Sequence, residues 1–302
     1  MTRVAYLMSR SEGLSSADRQ GLIDRAERSG LDGLGVGDHV SFYTGAGADG
    51  LLGATSIVGA SQRLVAVVGV YLLPLRHPVV VARQVADIAV LAPGRLVLGV
   101  GLGGEDPHEF EICGIDPTTR GRRMDECLEV LRGLLTGKPF DYEGEFFQLD
   151  HAHIQPGPTE PVPILVGGRS DAAIRRAGRL GDGWYGIWVS PSRYGEAIEH
   201  MHEVAAETRR GDVAWHNALN VWCGVGTTAD EARAYVAPAM EAFYQLPYER
   251  FEKWSPAGTP AHIADFLAPY VEAGCHTFNL IACGTSAEAE VEAVSEIRAL
   301  LS

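Results

Sequence analysis

Short apolar, β-branched runs alternate with amphipathic stretches along nearly the whole chain. The runs "RVAYLM" (3–8), "DGLGVG" (32–37), "LVAVVGVYL" (64–72), "RLVLGV" (95–100), "VPILVG" (162–167), "GWYGIWV" (183–189), "ALNVWCGV" (218–225) and "TFNLIA" (277–282) predict eight strands. Between them, helical spacing predicts helices over 17–29, 51–61, 78–91, 121–136, 171–180, 191–209, 228–244, 260–273 and 286–301. Strands that are apolar from end to end are buried on both faces, which implies a parallel sheet covered by helices. Eight βα units in 302 residues predict a single (β/α)8 TIM barrel spanning 1–302. A doubly wound open sheet competes, but it uses fewer strands before a domain break, and no linker-like break occurs here.

Two segments depart from the alternation. "KPFDYEGEFFQLDHAHIQPGP" (138–158) interleaves aromatic and polar residues around Glu143-Gly144, the pattern of a β-hairpin, expected to cap the barrel. "YQLPYERFEKWSPAGTP" (244–260) is aromatic and carries prolines at 247, 256 and 260, so no helical period runs through it. A long ordered loop of that kind is expected to serve as a lid or binding loop near the barrel mouth.

Composition narrows the partners. A net charge of −14, with Lys138 and Lys253 the only lysines, excludes the basic surface that nucleic acid requires. No run approaches the roughly 18 apolar residues of a membrane span, and the first residues read as a strand rather than a signal peptide. Five cysteines without a C-x-x-C pair suit buried thiols in a reducing compartment. The expectation is a cytoplasmic protein that acts on a small molecule.

"GVGLGG" (99–104) matches G-x-G-x-x-G, the dinucleotide-binding pattern. Such a turn must open straight into a helix whose N-terminus meets the pyrophosphate. Here "EDPHEFEICGIDP" intervenes, with prolines at 107 and 117, and the run follows the fourth predicted strand instead of the first. Gly101, Leu102, Gly103 and Gly104 are therefore read as a barrel rim loop, where a missing Cβ lets a ring or phosphate approach the backbone. At the end of the fifth predicted strand, Gly167-Gly168-Arg169 precedes Ser170, a candidate N-cap. That is either a phosphate seat or an ordinary junction with a surface arginine, and composition does not choose between them.

Asp38-His39 closes the second predicted strand and Glu12 follows the first, both at the end where barrel enzymes keep their chemistry. Histidine titrates near neutrality and a neighbouring carboxylate tunes it, although an Asp-His pair at a strand end is also a common structural element. His200 and His202 in "EHMHE" are two apart and diverge on a helix, so no metal site is expected there. His151 and His153 lack a third ligand.

The stretches "GVGDH" (35–39), "PLRHPVVVARQVADIAVLAPGRLVLGVGLGG" (74–104), "RGRRMDE" (120–126) and "VPILVGGRSDAAIRRAGRLGDGW" (162–184) together resemble the bacterial luciferase-like monooxygenase superfamily, in particular its branch that uses the deazaflavin coenzyme F420. The resemblance implies a TIM barrel with the cofactor's ring across the C-terminal mouth, and a homodimer. It implies that Asp38 touches the cofactor, that His39 faces the substrate, and that Gly69-Val70 forms a non-proline cis peptide behind the ring. Gly101 to Gly104 would line the cofactor, and Gly167, Gly168 and Arg169 would form the phosphate-binding turn. Glu12 resembles a mouth carboxylate of the family's sugar-phosphate dehydrogenases, and Tyr43 stands in the place of their tryptophan. Those enzymes carry a glutamate near position 104, where this chain has Gly104 followed by Glu105. Basic residues for a sugar phosphate are few, with Lys253 and Arg250 the candidates, so glucose 6-phosphate is not the expected substrate. The expectation is an F420-dependent oxidoreductase with His39 and Glu12 as catalytic groups. A reduced-FMN monooxygenase and a non-catalytic flavin-binding member are the alternatives.

Overall fold

The computed structural model describes residues 2–8, 15–43 and 45–301. Eight parallel strands form the barrel: β1 (Arg3–Leu7), β2 (Gly33–Val36), β3 (Val65–Tyr71), β4 (Leu96–Val100), β5 (Ile164–Gly167), β6 (Gly183–Ile187), β7 (Ala218–Val225) and β8 (Thr277–Cys283). Each pairs with its sequence neighbour, and β8 closes on β1 with Arg3 opposite Thr277 and Tyr6 opposite Leu280. The eight strands lie where hydrophobic periodicity places them, because each must bury both faces.

Inside the barrel, Ala5, Val67, Val97, Leu165, Tyr185 and Ala218 pack together. On the outer face the alternate positions, such as Tyr6, Val68, Leu98, Val166 and Trp184, meet the helices. Burying one such side chain contributes about 1.5–3 kcal/mol. The helices are α1 (Ser16–Arg28), α2 (Gly50–Ala60), α3 (Pro78–Leu91), α4 (Arg120–Leu135), α5 (Asp171–Leu180), α6 (Pro191–Glu207), α7 (Ala229–Tyr244), α8 (Pro260–Glu272) and α9 (Ala287–Leu300). Their starts follow capping chemistry. Asp49, Ser170, Ser190, Thr228, Thr259 and Ser286 each accept a backbone amide of the first turn, satisfying donors that the helix leaves open.

The predicted hairpin forms from Phe140–Glu143 and Gln148–Ala152. It packs along α4 rather than over the barrel opening: Tyr142 donates to Glu129 at 2.6 Å, and the Glu126 carboxylate accepts the amides of Glu145, Phe146 and Phe147 at the hairpin tip. The aromatic segment after α7 folds as two 3-10 turns, then pairs Ala257–Gly258 with the end of β7 at Gly224 and Val225. One element escapes the periodicity. A small antiparallel hairpin, His39–Phe42 against Ala46–Ala48, stands directly on the end of β2. No helix among the described residues is long and apolar enough to cross a membrane.

Candidate active site

At the C-terminal end of β2 the chain leaves the barrel through Asp38 and His39. The Asp38 carboxylate is fully buried and meets four donors: the amides of Gly50 (3.0 Å) and Leu72 (2.8 Å) and the two terminal guanidinium nitrogens, Nη1 and Nη2, of Arg76 (2.6 and 2.8 Å). Arg76 itself lies over the Tyr71 ring at 4.4 Å. Burial pushes the Asp38 carboxyl upward while Arg76 and the two amides oppose it; on the other side, burial works to lower the Arg76 guanidinium, but the Asp38 charge and hydrogen bond, with Tyr71 and Asp49, together hold it up. The cluster ties the end of β2 to the start of α2 and the end of β3. Asp38 is thus placed as a brace, with its oxygens directed into the protein.

His39 follows on the small hairpin, and its Nδ1 lies 3.0 Å from Glu109 Oε2. Glu109 is almost wholly buried, and its Oε1 accepts the amides of Val40 (2.7 Å) and Ser41 (3.2 Å). A carboxylate with those bonds accepts from Nδ1–H, which leaves Nε2 as the ring nitrogen that the carboxylate does not engage. The carboxylate therefore fixes both tautomer and ring orientation. Glu105, the residue that sequence places near this role, contributes instead a carbonyl that accepts from Tyr43 Oη at 3.1 Å. The reason is local. The rim loop runs on to Asp106, which accepts the amides of Tyr43 and His108 (2.7 and 3.0 Å), and the short helix His108–Ile112 then turns Glu109 inward. In "EDPHEFE" three glutamates compete, and only burial selects one. Arg76 and Glu109 are the site residues that sequence reading did not find. Glu12 lies outside the described residues.

The glycines divide into two kinds. Gly69-Val70 is a cis peptide, at a register shift between β3 and β4. A Cβ on Gly101 would lie 2.4 Å from Val70 Cγ2, and one on Gly167 would lie 3.1 Å from Val70 Cγ1. Those two are glycine because the Val70 side chain lies against their backbones. Gly103, Gly104 and Gly168 have φ of 67°, 112° and 124°, and are glycine for the turns that they make. Leu102 is half-buried against the core. Gly37, at the end of β2, is different again: a Cβ built there meets nothing within 4 Å, so the strand end borders open space. Under the mouth, Asn279 Nδ2 donates to Asn220 Oδ1 (2.8 Å) and Asn220 Nδ2 to the Gly69 carbonyl (3.2 Å), which holds the β3 end from below.

Beyond Gly168, Ser170 caps α5 as expected, and Trp184 Nε1 donates to the Gly168 carbonyl at 2.7 Å. Arg169 extends over Trp188 at 5.2 Å and lines a cavity of about 460 Å³ with Arg193, Lys253 and Trp254. Among the described residues neither Arg169 nor Lys253 has a carboxylate within 4.0 Å, and each lies over a tryptophan ring (Trp188 and Trp254). In a chain of net charge −14 these are the site's spare positive charges. A backbone cradle beside β4 and β5, open space at the β2 end and unpaired cations at one edge fit an elongated flat ligand with an anionic extension.

The family described as luciferase-like monooxygenase matches residues 7–253. An uncharacterized protein of Mycobacterium tuberculosis is 45% identical over 135 residues, 45% of this chain and 46% of that one. An F420-dependent glucose-6-phosphate dehydrogenase of Nakamurella multipartita is 34% identical over 188 residues, 60% of this chain and 55% of the relative. The matched part thus spans about half the length of these relatives. Among solved structures, an F420-dependent secondary alcohol dehydrogenase in complex with an F420-acetone adduct superposes with a TM-score of 0.83 at 20% identity, covering 100% of this chain and 99% of that one. The likeness establishes the same barrel.

Proposed function

We propose, for a chain that belongs to the luciferase-like monooxygenase family, that it is a coenzyme F420-dependent oxidoreductase acting on a small organic substrate. The observation that carries this reading is the His39–Glu109 couple at the β2 end, with the Glu109 side chain buried and the His39 side chain 21% exposed. Relatives in both sequence and structure that are named F420-dependent support the choice of cofactor.

Bound at the mouth, the deazaflavin would supply the exchange of a hydride at its C5 with substrate carbon. Gly101, Leu102, Gly103, Gly104 and Val70 would cradle it, and Gly167, Gly168 and Arg169 would hold its phosphate, with Lys253 adding charge. The chain's own chemistry is the proton. An oxygen-bound proton must be taken up or returned as the hydride moves, and His39 Nε2 is the atom left free to do so. Glu109 steadies the imidazole in either charge state. Asp38 and Arg76 keep the hairpin that carries His39 in place.

A second reading, a reduced-FMN monooxygenase, is favoured by the family's own description. One experiment separates the two: parallel titrations with deazaflavin, FMN and FAD. Micromolar or tighter deazaflavin binding, on the order of −8 kcal/mol, with FMN clearly weaker, is expected. FMN that copurifies at full occupancy and resists displacement by deazaflavin overturns the F420 assignment.

A further inference from the structure

From the rings around His39 we infer that the substrate is a neutral alcohol or carbonyl compound with an apolar, ring-bearing body. This rests on the reading of His39 as the proton-exchanging group. The His39 ring lies 4.0 Å from Phe42 and 5.8 Å from Phe243, centre to centre, and Phe243 lies 5.0 Å from Phe42 and 5.8 Å from Trp222. Phe42 and Trp222 are buried beneath, while Phe243 is 37% and Tyr43 44% exposed. An aromatic shelf therefore begins at the reacting histidine and opens to solvent at Phe243 and Tyr43.

What the shelf lacks is equally informative. A sugar needs polar partners aimed at its hydroxyls, and most of the polar groups around His39 are already engaged within the protein, the Glu105 carboxylate and Trp188 Nε1 excepted. Glu109 serves His39 and two amides, Asp106 serves two more, and Asp38 faces inward. Tyr43 Oη donates to the Glu105 carbonyl, and Trp222 Nε1 donates to Tyr244 Oη at 3.0 Å. A site built to match a polyol rejects its absence strongly, whereas an apolar site discriminates by ring and methylene burial. Burial raises the pKa of both the Tyr43 and Tyr244 hydroxyls, and the exposed Glu105 carboxylate lies close enough to add to it, alongside Asp106 in the case of Tyr43. The Glu105 charge disfavours an anionic substrate on this side of the mouth. Phe243 comes from the last turn of α7, and the chain reverses immediately after it at Gln245, which adopts φ 54°.

The test uses two readouts. Quenching of tryptophan fluorescence, for which Trp222 is the local reporter, follows 1-phenylethanol, 2-propanol and glucose 6-phosphate binding, with and without deazaflavin. Steady-state kinetics with deazaflavin then give kcat/KM for each. Expected are saturable quenching by 1-phenylethanol and a kcat/KM at least tenfold above that for 2-propanol or glucose 6-phosphate. Phe243→Ala should lower the ratio for 1-phenylethanol over 2-propanol about tenfold, and Phe243→Leu should restore part of it. Preferred binding or turnover of the sugar phosphate overturns the inference, as does a Phe243→Ala ratio equal to that of the unaltered protein. Failure of deazaflavin to bind, with 1-phenylethanol quenching intact and weakened by Phe243→Ala, sinks the cofactor reading and leaves the shelf standing.

Discussion

The Asp38–Arg76 pair offers a quantitative test of how the β2 end is held. Arg76→Met removes the guanidinium and leaves a carboxylate whose side chain has 0% exposure facing only two amides. Breaking a buried ion pair from one side costs about 3–5 kcal/mol, because the remaining charge has neither partner nor water. Asp38→Asn is the milder change. Arg76 is 18% exposed and retains Asp49 at 3.5 Å, so its charge is partly served elsewhere. Its cost should be about 1.5–3 kcal/mol, the range for a lost hydrogen bond to a charged group. With roughly 2.1 cal/mol/K of unfolding entropy per residue, Arg76→Met should lower Tm by about 5–8 °C and Asp38→Asn by about 2–5 °C. The double variant should lose less than the two single losses combined, by at least about 1 kcal/mol, since the second change removes the charge that the first stranded. Differential scanning calorimetry of the four proteins measures this, and a cofactor titration runs beside it. If Asp38→Asn keeps its Tm within about 1 °C yet loses more than tenfold in deazaflavin affinity, Asp38 is a ligand contact and the brace argument is wrong.

His39→Ala should reduce turnover by roughly 10²–10⁴ while cofactor affinity changes only a few-fold, and Glu109→Gln should lower kcat and displace the pH profile; an alanine variant with full turnover at saturating cofactor would assign His39 to positioning. Acid stability is decided at the opposite end of the barrel, where burial, with Arg3 adding to it, lowers the pKa of His216 and His276. A histidine with a depressed folded-state pKa contributes stability that is present above its ordinary value near 6.5 and is lost as pH falls below it. His276 Nδ1 also accepts the Asn217 amide at 3.1 Å, a bond that protonation forfeits. Tm should therefore fall between pH 7 and 5, less so in His276→Gln; an equal fall in both proteins would place the acid sensitivity elsewhere.

The eight strands and their helices were legible in the sequence because burial on both faces leaves a direct mark: an apolar run for each strand, a 3.6-residue stripe for each helix and a Ser, Thr or Asp at most helix starts. The same local logic excludes a dinucleotide turn at Gly99–Gly104, since the chain runs on through Glu105, Asp106 and Pro107 before the short helix His108–Ile112 instead of opening straight into a helix. His39 was legible as a residue at a strand end. Its partner was not. Glu105, Glu109 and Glu111 are equivalent as letters, and only the path of the rim loop buries Glu109 against the His39 hairpin while leaving the other two in solvent. The resemblance makes Asp38 a cofactor contact, and nothing in a sequence shows that Arg76, 38 residues on, meets its carboxylate. Gly101 and Gly167 are legible as glycines that need backbone access; that the Val70 side chain of β3 reaches both, across β4 in the case of Gly167, is seen only in the fold. Pattern along the chain determines which faces are buried. Which polar groups face one another is decided by how the loops after β2, β3 and β4 meet at the rim, where Asp38 reaches Arg76 and His39 reaches Glu109.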